Sequence, residues 1–267
     1  MDFTVQQVID AIFATIPGAP REGTLDTLKA GDPSWEVTGI VSTFTATRDV
    51  LDRTVELGAN MVITHEGTYY NHPDAVEWLV DDPVYESKRR FLEENRLAVW
   101  RFHEYWHGNR AGRPDGIMTG VERRLGWEGL ADPPDSGLYT IPQTTLRGLA
   151  ALLEERLGFE FARATGDPDM ECRRVAVLLG FGSPGEPQMR RIGREDVDVL
   201  VCGETHEWET CEYVRDAAAA GQSKGLLVVG HRNSEEVGME YFAEWLRPLV
   251  PGVPVTFVPA GDPFRIL

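Results

Sequence analysis

The sequence predicts an α/β protein built as two related lobes with mixed or mostly parallel sheets. Three observations predict it. Short apolar, β-branched runs alternate with amphipathic helical segments along the whole chain. The connections between successive strands are long enough to be helical crossovers, which parallel pairing requires. Five of the six histidines stand beside acidic or aromatic residues just after these runs, where open parallel sheets gather their ligands.

Taken in order, Val5, Val8, Ile9, Ile12 and Phe13 recur at a helical period over Thr4–Phe13. Trp35–Thr45 alternates like a strand, Arg48–Leu57 returns to a helical pattern that stops at Gly58, and Ala59–Thr64 (ANMVIT) is a second strand, completing a β-α-β unit. A helix over Ser87–Asn95, a strand over Leu97–Phe102 and a helix over Gly116–Leu125 follow. The segment ADPPDSG (Ala131–Gly137) reads as a linker, which divides the chain into an N-terminal α/β lobe, 1–130, and a C-terminal α/β lobe, 131–267. The second lobe repeats the grammar: strand Leu138–Ile141, helix Thr145–Leu157, strand Arg174–Leu179, strand Val197–Cys202, helix Trp208–Ala220, strand Gly225–Val229, a helix from about Glu235 to Leu246, and strand Val253–Val258. Trp78, Trp208 and Trp245 sit at helical spacings with other apolar residues and read mostly as core.

The 267 residues, 42% hydrophobic and 26% charged, have the composition of a soluble globular protein. Forty-three acidic against 26 basic residues give a net charge of −17, which argues against a duplex nucleic acid as partner and makes single-strand binding a remote reading. No basic n-region precedes an apolar core at the start, and no apolar run approaches the length of a membrane span. Cys172, Cys202 and Cys211 form no CxxC and cannot all pair, as expected of a reducing cytoplasm.

The chemistry is carried by three stretches: His65-Glu66, His103-Glu104-Tyr105-Trp106-His107, and His231-Arg-Asn-Ser-Glu235. Imidazoles mixed with carboxylates suit zinc, iron or manganese and disfavour calcium. A carboxylate such as Glu235 can bridge two ions, as in two-metal hydrolytic sites. Each stretch also has a plainer reading. Ser234 can cap a helix with His231 on the surface, and His65-Glu66 can be an ordinary loop pair. His103 and His107 share a face only if their segment is helical, and can instead rim an aromatic corner. Glu204 and His206 would be supporting partners or proton shuttles. Cys202 near His206 could form a nucleophilic pair, but reads better as a buried cysteine closing a strand. GFGSPGE lacks the P-loop lysine and reads as a sheet-edge turn.

These motifs, with VTGIVSTFTATRDVLDRTVELGANMVITHEG, GLLVVGHRNSEE and the closing Asp262-Pro263-Phe264, resemble the NGG-interacting-factor-three family, whose members are often labelled GTP cyclohydrolase 1 type 2 homologues. The resemblance covers essentially the whole chain. It implies a dinuclear centre in the cleft between two α/β lobes, and a homohexameric toroid assembled as a trimer of dimers. It puts His65, His103, His231 and Glu235 in ligand roles. Glu66 stands where the family has a second histidine, and His107 where it has an aspartate, so the expected metal set is His65, Glu66, His103, His107, His231 and Glu235 around two divalent ions. The implied function is a metal-dependent hydrolase acting on a small molecule or purine nucleotide, with Glu66 or Glu204 as catalytic proton carriers. The alternative is a non-enzymatic metal-binding protein or toroidal scaffold.

Overall fold

A computed structural model describes residues 3–108, 114–134, 136–194 and 196–267. Its strands are β1 (Leu28–Ala30), β2 (Ile40–Thr43), β3 (Met61–Thr64), β4 (Ala98–Arg101), β5 (Leu138–Thr145), β6 (Arg163–Thr165), β7 (Glu171–Leu178), β8 (Val199–Cys202), β9 (Gly225–Val228) and β10 (Val255–Phe257). The α-helices are α1 (Val5–Phe13), α2 (Arg48–Glu56), α3 (Pro83–Glu94), α4 (Gly116–Leu125), α5 (Leu146–Leu157), α6 (Glu186–Ile192), α7 (Glu212–Ala219) and α8 (His231–Leu246). The chain forms two compact units: Met1–Ile117 with Gly238–Gly261, and Met118–Val237 with Asp262–Leu267.

The first unit holds a five-stranded sheet in the order β1-β4-β3-β2-β10, in which only β1 runs antiparallel to its neighbour. Every residue of β2, β3 and β4 is buried, as in parallel strands covered on both faces. The covering helices start where side chains satisfy their first amides. Thr4 and Gln7 form a capping box on α1, Thr47 caps α2, and Asp82 followed by Pro83 opens α3. Each such cap is worth about 1 kcal/mol. An aromatic group of Trp100, Phe102, Trp106 and Phe242 packs below the strand ends.

The second unit repeats the plan in the order β5-β7-β8-β9-β6, with β7, β8 and β9 parallel and both edge strands antiparallel. Thr145 caps α5, which ends on Gly158 in the left-handed region. Leu146, Leu149, Leu153 and Leu157 seat one face of that helix on the core beneath β7 to β9.

Several expectations need correcting. The strand near Val253–Val258, which chain order assigns to the second lobe, pairs in parallel with β2 in the first sheet. Trp78 and Trp208 are 65% and 76% exposed, so only Trp245 joins an aromatic cluster. The helix expected over Trp208–Ala220 is a π-turn over Glu207–Cys211 followed by the shorter α7. GFGSPGE leaves β7, an interior strand, so it is not a sheet-edge turn. Finally, α8 begins at His231, immediately after Gly230 at φ 97°, and Ser234 lies inside its first turn instead of capping it.

Candidate metal centre

In the first unit, β3 and β4 deliver histidines from their carboxyl ends. His65 follows β3 and is fully buried, and His103 follows β4 by two residues. The backbone between His103 and His107 closes one turn of helical pitch, with the His107 amide donating to the His103 carbonyl at 3.1 Å. That turn brings both imidazoles to one side, while Trp106 goes to the aromatic group, so the helical-face and aromatic-corner readings both hold. Asp26 fixes the turn's start: its buried carboxylate accepts from the amides of His103, Glu104 and Tyr105 at 2.9, 3.1 and 3.0 Å. One donor atom from each of His65, His103 and His107 lies within 4.8 Å of the others, a spacing that a single cation can span.

The tautomers favour such an ion. Asp115 Oδ2 stands 2.9 Å from His107 Nδ1, and a carboxylate can only accept there, so the proton sits on Nδ1 and Nε2 presents its lone pair. That Nε2 faces His65 Nε2 at 3.1 Å. Two nitrogens so close require a proton or a cation beside them. His103 Nδ1 is buried with no hydrogen-bond partner among the described residues, a further nitrogen suited to a cation. Glu66 completes the group, 20% exposed, with Oε1 at 3.5 Å from His103 Nε2 and Oε2 at 3.9 Å from Arg101.

The second unit carries its own donor set. Glu204 follows β8 by two residues, and its Oε1 stands 2.8 Å from His231 Nδ1, again fixing a proton on Nδ1. His231 Nε2 then faces Glu235 Oε2 at 3.2 Å, one helical turn along α8. The Glu235 side chain is 4% exposed. A carboxylate behind a histidine whose other nitrogen is turned to a site thus occurs twice, at Asp115-His107 and Glu204-His231. Gly180, two residues after β7 at φ 58°, makes room for the second set: a Cβ there would fall 2.1 Å from Glu235 Oε1 and 3.0 Å from His231 Nε2. Its amide donates to Ser234 Oγ at 2.9 Å, and that hydroxyl donates to the His231 carbonyl at 2.7 Å.

The structure therefore groups His65, Glu66, His103 and His107 in the first unit and Glu204, His231 and Glu235 in the second. Glu204 supports a histidine through a hydrogen bond. His206 is half exposed and pairs with Glu209 at 2.7 Å. Burial pushes the Cys202 thiol up to about 12, which removes it as a nucleophile partner for His206. Arg101 is wholly buried and braces the loop after β3 by donating to the carbonyls of His65 and His72. Burial, then the Arg101 guanidinium, holds the His72 imidazole below its usual range. Arg232 is engaged by Glu236 and Asn233. The sequence assigns Asp26 and Asp115 no role, and it places Gly180 only in the GFGSPGE turn. Of these only Gly180 carries a local signal, a glycine opening the turn beyond β7.

Among the described residues no helix is long and apolar enough to cross a membrane. The profile of the family described as Duf34/NIF3 (NGG1p interacting factor 3) matches residues 23–263. A relative from Clostridium perfringens, named GTP cyclohydrolase 1 type 2 homolog, is 23% identical over 214 residues, 78% of this chain and 77% of its own. One of the same name from Escherichia coli K12 is 27% identical over 242 residues, covering 84% and 85%. The crystal structure of a Bacillus cereus protein related to NIF3 superposes with a TM-score of 0.77 over 99% of both chains at 16% identity, a likeness of fold.

Proposed function

The chain belongs to the Duf34/NIF3 family, and we propose that it is a metal-dependent hydrolase of a small molecule, with His65, Glu66, His103, His107, His231 and Glu235 serving as ligands for two divalent ions. The observation that carries this reading is the three-imidazole cluster at the ends of β3 and β4, with a carboxylate-backed histidine inside it. The donor chemistry fits zinc, iron or manganese. A bound ion of this kind supplies Lewis-acid polarisation of an electrophile and of water. The chain's own residues supply the rest. Asp115 and Glu204 hold His107 and His231 in single tautomers. Glu66, the partly exposed carboxylate of the first set, is the residue to which this reading gives proton transfer between solvent and substrate. The relatives' printed name makes a purine nucleotide the first substrate class to try.

Family membership implies an oligomeric assembly. We assign it as a homohexamer, a trimer of dimers, in a reducing cytoplasm, where Cys172, Cys202 and Cys211 stay thiols. Light scattering on the purified protein reads the subunit number directly.

The test compares chelator-treated, metal-loaded and Glu66→Gln protein against nucleotides and activated esters, with metal content measured alongside. Metal-dependent product release that falls at least a hundredfold in Glu66→Gln supports the hydrolase. Stoichiometric metal with no turnover of any substrate replaces it with a non-enzymatic metal-binding role. Glu235→Ala is expected to lose bound metal and keep its fold by circular dichroism. Undiminished occupancy in that variant removes Glu235 from the ligand set.

A further inference from the structure

A second concave place in the first unit uses none of the proposed metal ligands. A cavity of about 540 Å³ lies against β1, among residues that include Lys29, Trp35, Tyr69, Asp74 and Tyr85. Its size is within the range of small-molecule pockets. Two polar groups of its lining face each other in a long ion pair. The Asp74 side chain is 2% exposed; Oδ1 accepts from the Tyr69 amide at 2.7 Å, while Oδ2 has no hydrogen-bond partner among the described residues. Lys29, 10% exposed, places Nζ 3.7 Å from that oxygen, outside hydrogen-bond range. Burial, the largest influence, holds the Lys29 ammonium below its usual range, while the nearby Asp74 and Asp26 carboxylates act in the opposite direction. Trp35, Tyr69 and Tyr85 add aromatic surface among aliphatic and acidic neighbours, with Tyr69 and Tyr85 edge to face at 5.1 Å. Arg89, also on the wall, is already held by Glu86 and Glu93 and is not a spare cation.

A donor and an acceptor side by side in a lining that includes aromatic rings are complementary to a flat ring with the reverse pair on one edge. We infer that this cavity binds a planar heteroaromatic lactam, its ring carbonyl accepting from Lys29 and the adjacent ring N–H donating to Asp74. Charge-assisted bonds of this kind contribute about 1.5–3 kcal/mol each, so losing one weakens binding about tenfold or more.

The probes are 1-methyluracil, which keeps the N–H between two carbonyls, and 1,3-dimethyluracil, which keeps the carbonyls and lacks it. Calorimetry and saturation-transfer NMR on the full chain are expected to show saturable binding of 1-methyluracil, with binding of the dimethyl compound at least tenfold weaker. Lys29→Met is expected to weaken 1-methyluracil about tenfold, and Asp74→Asn likewise, with melting curves checking that the loop held by Asp74 survives. Chelator treatment is expected to leave the binding unchanged, which separates this cavity from the metal ligands. The inference is overturned by absence of saturable binding, by equal affinity for the two uracils, by undiminished binding in Lys29→Met, or by loss of binding on metal removal.

Discussion

Gly180 offers the sharpest test of whether Glu235 and His231 form a ligand set. In Gly180→Ala the new methyl group meets Glu235 Oε1 at 2.1 Å, well inside the 3.4 Å at which ordinary contact begins, so the buried carboxylate must retreat by about 1 Å or more. Alanine at φ 58° also carries the left-handed penalty of about 1–2 kcal/mol. Gly158 separates the two effects. It caps α5 at φ 74° with nothing within 4 Å of its Cβ position, so Gly158→Ala reports the backbone penalty alone. Urea unfolding of chelator-treated protein is expected to place Gly180→Ala below Gly158→Ala by a further ~1–3 kcal/mol, the scale for disturbing a buried polar group. Zinc or manganese titration is expected to show affinity ten- to a hundredfold weaker, or about that, in Gly180→Ala alone. Equal stabilities for the two variants, or unaltered affinity in Gly180→Ala, refute the reasoning.

Asp115→Ala is expected to weaken metal binding by roughly ten- to a hundredfold without unfolding the protein, because His107 loses the acceptor that fixes its tautomer. Asp115→Asn, whose amide oxygen still accepts, should recover most of it, and a titration in which the two variants behave alike contradicts the assignment. Burial pushes the Lys88 ammonium down to about 8, where it donates to the Thr68 carbonyl at 2.6 Å. The unfolded chain therefore binds more protons than the folded one between pH 8 and 10.5, and the Lys88 contribution to stability rises with pH across that window. Tyr69, pushed up to about 12 by burial, acts in the opposite direction above pH 10, so the quantity to measure is wild type minus Lys88→Met. A flat difference from pH 8 to 10.5 rules the linkage out.

What the sequence disclosed was what neighbouring residues encode. ANMVIT and LAVWRF are mostly apolar, with no alternation of polar and apolar residues, so they announce covered parallel strands, and the histidines behind them inherit their position from the sheet. What it concealed depends on partners far along the chain. Asp26 reaches the His103 turn across 77 residues, and nothing around it in the sequence marks a buried acceptor. Trp208 looked like core because its spacing is helical, but the π-turn over Glu207–Cys211 shifts the register and turns it outward. The three-residue strands β1 and β6 lack a fully buried face and lie antiparallel at sheet edges, where periodicity is weakest. Ser234 resembled a helix cap, yet its hydroxyl bonds back to His231 and supports the turn that presents the histidine.

The pairing of β10 with β2 bears on how the molecule is made. Val255 aligns with Ile40, so the first sheet lacks this strand until residues 255–257 have left the ribosome. Until then β2 presents an unpaired backbone edge, and the aromatic group around Trp106 lacks Phe242. The second unit, whose sheet is encoded between Leu138 and Val228, has all its strands earlier. Vectorial synthesis thus leaves the histidine-bearing sheet open longest, and nascent chains stalled before residue 255 should be the ones that engage holdase chaperones.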